Sequence, residues 1–289
     1  MSIVYFTKNI NKDEILRLYK HLGVKLEGRV AVKLHSGEPG NQNFLGPDYF
    51  TEIVKEVNGT VVECNTAYDG KRNTTKEHLE TLKNHGWTNA YKVDLLDKTG
   101  PDLVLDIPHG KIINKNYVGK DLVNYDSMLV LSHFKGHPMG GYGGALKQLS
   151  IGVASSYGKA YIHGCGKPED IWTADHDSFL EAMAESAESV IDFFNKKIVY
   201  INVMKNMSVD CDCCAVAEDP CMKDIGILIS TDPIAIDQAC IDLVYNSEDP
   251  GKAHLIKRIE SRNGIHTIER AAECGYGSRS YTLVDITNN

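Results

Sequence analysis

Residues 178–204 read SFLEAMAESAESVIDFFNKKIVYINVM, and this stretch decides the fold class. Phe179, Met183, Ala187, Val190, Ile191 and Phe194 fall on one face of a helical period, an apolar stripe that needs a core to cover. The run at 198–204 follows at once and is apolar at nearly every position, the pattern of a strand buried on both sides. A helix feeding a doubly covered strand predicts an α/β architecture, with a largely parallel or mixed sheet and helices on both faces.

The same alternation runs outward in both directions. Upstream, Val30, Val32 and Leu34 alternate as a strand, 47–57 reads as a helix, and Val61 and Val62 begin a second strand. A helix over 74–84, closed by Gly86, leads to strand-like runs at 103–105 and 128–131. Downstream, a strand is expected at 225–229 and a helix over 233–244. Asp232 is placed to accept free amide hydrogens there, and Pro233 sits at the first helical position. No repeat or low-complexity tract divides the 289 residues, so the chain is expected to be a single α/β domain. A lobe boundary, if two lobes exist, falls near 133–150.

With 42% hydrophobic residues the chain has enough apolar mass for a large core. Its 31 basic and 39 acidic residues give a net charge of −8 without a dense basic run, which argues against nucleic acid as a partner. The opening MSIVYFTKNINKDEILRLYK lacks the pattern of an export signal, and no run approaches the length of a membrane span. The cytoplasm is therefore the expected compartment, with no membrane partner. Oligomeric state has no sequence signal. Thiols stay reduced in that compartment, so the eight cysteines point to ligation or catalysis rather than disulfides.

Four of the eight fall within eleven residues, in DCDCCAVAEDPC at 210–221, whereas Cys64, Cys165, Cys240 and Cys274 are scattered. Thiolates are soft ligands for zinc or iron–sulfur clusters, and Cys211, Cys213, Cys214 and Cys221 are the candidate ligands. Adjacent Cys213 and Cys214 cannot easily share one ion, which favours three ligands plus a histidine or a substrate atom. Asp210 and Asp212 would raise the thiol pKa values unless a cation lies nearby. The simpler alternative is that some of these cysteines only pack as small hydrophobes.

A second constellation, SHFKGHPMGGYGGALKQLS at 132–150, starts at the end of an expected strand and holds five glycines in nine residues. Gly140, Gly141, Gly143 and Gly144 would let backbone amides approach an anion or cofactor, beside Lys135. His133, His137 and Lys147 supply proton transfer and charge, and strand ends are where open α/β sheets bind ligands. The alternative is a mobile loop with solvated bases. A third loop, at 65–78, offers Arg72 as a clamp for a carboxylate, although Thr74 and Glu77 read as a helix cap. The loop at 35–43 brings His35, Glu38, Asn41 and Asn43 to the same sheet edge, where ordinary turn roles suffice for each. His163 and Cys165, in YIHGCGK, would join the metal site or serve packing. Asp237 and Asp242 do not share a helical face and make a poor carboxylate pair.

The glycine loop, the CDCC cluster and DIGILISTDPIAIDQACIDL together resemble the family called domain of unknown function 362, over nearly the whole chain, including VKLHSGEPGN. Many members of that family carry a ferredoxin-type module after the stretch matching YGKAYIHGCGK, and this chain passes directly to the next helix instead. GYGGALKQLSIG is similar to the glycine-rich segment of nickel-pincer lactate racemases. That likeness implies Lys147 as the cofactor lysine, His163 as the nickel ligand and His133 or His137 as the acid/base. Lys71 stands where that family has a histidine, a departure that weighs against a two-base racemase.

The function expected from all this is redox or acid/base chemistry on a small anionic metabolite, by an oxidoreductase or isomerase that depends on a metal or an iron–sulfur cluster. A nickel-type cofactor is an alternative to zinc or a cluster. Two other classes stand beside this one: a non-catalytic carrier serving a redox partner protein, and an enzyme with a structural zinc clip. One distance separates them, that from the cysteine sulfurs to the histidines of the glycine loop.

Overall fold

The structure is a computed structural model, and it describes residues 1–288. Its centre is an eight-stranded sheet in the order β12-β1-β11-β10-β7-β2-β3-β4. The strands are β1 (Ser2–Thr7), β2 (Val30–Lys33), β3 (Thr60–Glu63), β4 (Val93–Leu95), β5 (Leu103–Asp106), β6 (Lys115–Val118), β7 (Ser127–His133), β8 (Lys135–His137), β9 (Gly141–Gly143), β10 (Ile198–Met204), β11 (Gly226–Ser230) and β12 (Tyr281–Asp285). Of the eight sheet strands only β11 runs against the rest, antiparallel to both β1 and β10.

Period-two alternation sends each central strand's side chains into two separate cores. Met128 and Val130 of β7 and Ile198 and Tyr200 of β10 face one core, with the helices Ala145–Ser150, His176–Phe193 and Pro233–Tyr245. Leu129, Leu131, Val199 and Ile201 face the other, with the helices Lys12–Leu22 and Thr51–Glu56 and with Trp87. Helices therefore cover both faces. Two expected helix starts form as read: the Thr74 side chain accepts from the Glu77 amide, and Asp232 accepts from the Ile234 and Ala235 amides.

The strand-like run at 103–105 is placed differently from a sheet member. It pairs with β6 in a separate two-stranded ribbon, and its residues are half or fully exposed where those of the central strands are buried on both faces. The segment 133–150 contains a second small ribbon, β8 with β9, lying at the edge where β2, β3, β7 and β10 all end. No helix among the described residues is long and apolar enough to cross a membrane.

Candidate functional site

Because β2, β3, β7 and β10 are parallel, the loops after them emerge along one edge. They surround a cavity of about 360 Å³ lined in part by His35, Arg72, His137, Lys147, His163, Cys213 and Cys214. A volume near 300–1,000 Å³ is usual for a small-molecule chamber.

The cysteine loop is folded by polar side chains from the 35–43 loop. Asn41 donates its side-chain amide to the carbonyls of Cys211 (3.2 Å) and Cys214 (2.8 Å), and Asn43 donates to the Glu218 carbonyl at 2.7 Å. The Glu38 amide donates to the Asp212 carbonyl at 2.8 Å. These loop residues strap the cluster in place. Asp212 is buried and accepts from Lys135 Nζ at 2.7 Å and from His133 Nδ1 at 2.9 Å. Burial works against its charge, but the His133 and Lys135 partners hold the carboxyl far below its usual range. Asp210 accepts from Arg258 at 3.0 Å. The cation that the two aspartates demand is thus supplied by the protein's own side chains, which sequence spacing had suggested would be a bound ion.

A ring nitrogen of His137, Cys211 Sγ and Cys213 Sγ lie within 4.8 Å of one another, a His/Cys group that could hold a metal ion. Cys213 Sγ is 3.6 Å from His137 Nε2, so the cysteine cluster and the glycine loop meet in one place. The Cys211 thiol is pulled well below its ordinary range by the hydrogen bond from Cys213, against burial, and then by Lys147, Lys135 and His137. Cys213 correspondingly keeps its proton, and Cys214 adjoins it. Two or three thiolates suit a soft metal ion or cluster iron. The imidazole is less free to ligate. His137 Nδ1 accepts the amides of Met139 (3.1 Å) and Gly140 (2.8 Å), so in the neutral ring the hydrogen sits on Nε2, facing sulfur. Burial and Lys147 push its pKa down to about 4, which keeps the ring neutral.

The other expected site residues fall in several places. The Cys221 thiol donates to the Met207 carbonyl at 3.2 Å and lies outside the His137–Cys211–Cys213 group. His133 has acceptors on both nitrogens, with Lys205 O 2.5 Å from Nε2, and lines only a 20 Å³ recess behind Cys211. His163 lines the cavity, stacks on Phe179 and has its Nδ1 on the Lys159 carbonyl at 2.8 Å. Burial pushes its pKa down to about 4, so it is neutral, with Nε2 unpartnered among the described residues.

Among the cations of the wall, most are already occupied. Arg72 is buried, gives Nε to Glu38 at 2.8 Å and one terminal nitrogen to Tyr68 at 3.1 Å. Lys33, fully buried, pairs with Glu63 at 2.7 Å, and Lys135 with Asp212. Lys159 donates to the Ala154 carbonyl at 2.6 Å. Lys147 is half-buried in the helix Ala145–Ser150, and its ammonium group has no hydrogen-bonded or ion-paired partner among the described residues.

The glycines serve close packing. A Cβ on Gly144 would stand 2.4 Å from Asp237 Oδ1, and Gly141, at φ +75°, abuts Gly264 and the Ile259 carbonyl. The amides of Ala145 (2.7 Å) and Leu146 (3.0 Å), which open the short helix, are taken by the buried Asp237 carboxylate. Gly140 gives its amide to His137, and Gly143 and Gly144 border the recess.

Lys33, Glu63, Gln148, Lys159 and Trp172 also line the cavity, and none was singled out from the sequence. The signal available was a charge closing each of two short apolar strands, VAVK and VVE. Trp172 carried none.

Fold and site together define a mostly parallel α/β protein with a His/Cys group at a strand-end cavity. The family model described as Domain of unknown function (DUF362) matches residues 30–242, and the chain belongs to that family. No curated protein matches. Among solved structures there is weak similarity to the lactate racemase apoprotein from Thermoanaerobacterium thermosaccharolyticum, at 14% identity and a TM-score of 0.41, covering 70% of this chain and 50% of that one. A protein from Thermotoga maritima is similar at 13% identity and a TM-score of 0.45, over 91% of this chain and 58% of its own. The chain thus spans between half and three-fifths of the length of either.

Proposed function

We propose that the protein is an enzyme in which thiolates from Cys211 and Cys213, with Cys214 adjoining, hold a soft metal ion or an iron–sulfur cluster beside a chamber for a small anionic metabolite. The observation that carries this reading is the 3.6 Å contact between Cys213 Sγ and His137 Nε2 at the wall of the cavity. Such a centre would supply Lewis-acid or electron-transfer chemistry. The chain's own residues do the rest. Lys147 holds the anion, His137 donates its Nε2 hydrogen toward sulfur, and neutral His163 offers Nε2 as a proton acceptor. His133 and Lys135 keep Asp212 ionised and the loop in register, which is a positioning role. Arg72 braces Glu38 and Tyr68 rather than clamping substrate.

Cys213 and Cys214 bordering the chamber support this over a remote structural clip. A single-domain chain working in a reducing compartment such as the cytoplasm, with eight free thiols and with or without a redox partner protein, accords with it. Anaerobic purification followed by metal analysis and a visible spectrum tests the reading. Stoichiometric metal that is lost in Cys211→Ser and Cys213→Ser, with the circular dichroism of the fold unchanged, is the expected result. Metal-free protein, or metal retained by both variants, refutes it.

The Nε2 hydrogen of His137 favours a second reading, in which Cys211 works as a metal-free thiolate stabilised by that donor and by Lys147. Ultraviolet thiolate absorbance in metal-free protein that persists at a pH well below the ordinary thiol range and is lost in Cys211→Ser would favour it; no difference between the two proteins would exclude it.

A further inference from the structure

The cavity is more than an anion hole. Its charged walls are mostly satisfied from within the fold: Lys33 by Glu63, Arg72 by Glu38, and Lys159 by the Ala154 carbonyl. Of the lysines and the arginine that line the cavity, Lys147 alone has an ammonium or guanidinium group without a partner among the described residues, with His163 nearby and Lys159 adding to the local positive field. That ammonium can bind one anionic group.

The rest of the lining includes an apolar set, Met139, Ile151, Ile171 and Trp172, of which Trp172 is the most exposed and marks the mouth. Trp172 is 65% exposed while it borders the cavity, so its indole face is open to a bound ligand. A bare anion such as acetate would touch Lys147 and leave this apolar wall wet. Burying apolar ligand surface there contributes about 25 cal/mol per Å², and an indole face offers offset stacking to a flat ring.

We propose that the ligand of this chamber is a carboxylate with a flat apolar body, its carboxylate held by Lys147 and its ring covering Trp172 at the mouth. The inference deepens the proposed function and rests on its reading of the cavity as the ligand chamber. The shared chemistry is an aryl-substituted acid.

The protein carries its own reporter. Of its two tryptophans Trp87 is fully buried and Trp172 is at the mouth, so a change in emission on ligand addition reads Trp172. Phenylacetate, acetate and benzyl alcohol are titrated into the full chain, with fluorescence and calorimetry as readouts. Phenylacetate is expected to bind saturably, with a blue shift, and about tenfold or more tighter than either of the others, since losing a charged hydrogen bond or the stacked ring each costs roughly that factor. Lys147→Met should weaken phenylacetate by about tenfold or more, and should leave benzyl alcohol unchanged. Trp172→Ala, at an exposed position with little bearing on folding, should weaken phenylacetate by calorimetry and not acetate.

Equal binding of phenylacetate and acetate, equal binding of phenylacetate and benzyl alcohol, or unchanged phenylacetate affinity in Trp172→Ala would overturn the proposal. Metal content measured on the same preparation separates it from the reading on which it rests. Metal-free protein that shows the expected preferences refutes the metal centre and supports the ligand class. Metal-loaded protein that holds acetate and phenylacetate alike overturns the ligand class alone.

Discussion

Asp212 and Cys211 are neighbours in sequence and both are buried, yet their surroundings differ in kind. Asp212 meets Lys135 and His133 in a closed cluster with its charge answered. Cys211 meets Cys213 and His137, which themselves line the cavity, and the unpaired Lys147 ammonium helps to lower its thiol pKa. Closed clusters of this sort hold loops in register, because burying a charge without a partner costs several kcal/mol. Open ones retain free bonding capacity, which is what a ligand or metal uses. The same distinction separates Lys33, Arg72 and Asp237 from Lys147 around the rest of the chamber.

The largest effect should come from opening the closed cluster. Asp212→Ala leaves Lys135 and His133 buried without their acceptor, and urea unfolding should show a loss of about 3–5 kcal/mol. A loss under about 1 kcal/mol would mean that the cluster is no brace, and the contrast would fail.

Lys33 and Glu63 sharpen the point through a cycle. Glu63→Ala alone should cost about 3–5 kcal/mol, whereas Lys33→Met with Glu63→Leu should recover part of it, because the apolar pair removes both buried charges while the Ser36 amide and hydroxyl still lose their Glu63 acceptor. Additive costs in the double variant would show that the pair is not the unit.

Asp237 gives a smaller, pH-dependent effect. Burial raises its carboxyl to about 6, against the pull of the Leu146 amide, Asn202, the Ala145 amide and Tyr142. The folded state therefore keeps a proton that the unfolded chain releases near pH 3.9. This group's contribution is present at low pH and is lost as pH rises from about 4 to about 6, on the order of 3 kcal/mol. Because His137 and His163, held neutral by the fold, drive stability the other way in both proteins, the readout is the unfolding free energy of the wild type relative to Asp237→Asn, which should fall as pH rises through that window; a difference that does not change with pH would discard the assignment.

The smallest effect belongs to the open site. Lys147→Met breaks no pair, so the unfolding free energy should move by less than about 0.5 kcal/mol, even as phenylacetate binding falls. A stability loss comparable to that of Asp212→Ala would mean that Lys147 has a structural partner after all.

Much of the framework was legible before the structure. The helical stripe from Phe179 to Phe194, the caps at Thr74 and Asp232, and the four strand-end loops all follow from short-range patterns. The run at 103–105 shows the limit, because a strand pattern does not say which sheet it joins. The glycines of 136–144 were read as an anion cradle, and their neighbours are Asp237, Gly264 and Val209, contributed by distant segments. Arg72 looked free for the same reason.

By itself, then, the sequence determined the α/β rhythm, the chemical types gathered at the strand ends and the presence of a thiol cluster, because those depend on residues a few positions apart. Tertiary structure alone decided which of those groups are spent. Lys33 finds Glu63 across 30 positions, Arg72 finds Glu38 across 34 and Lys135 finds Asp212 across 77. Those pairings follow from the order β10-β7-β2-β3, which sets distant loops side by side and leaves Lys147, His137 and Cys213 lining the cavity, with Cys211 on the small adjoining recess.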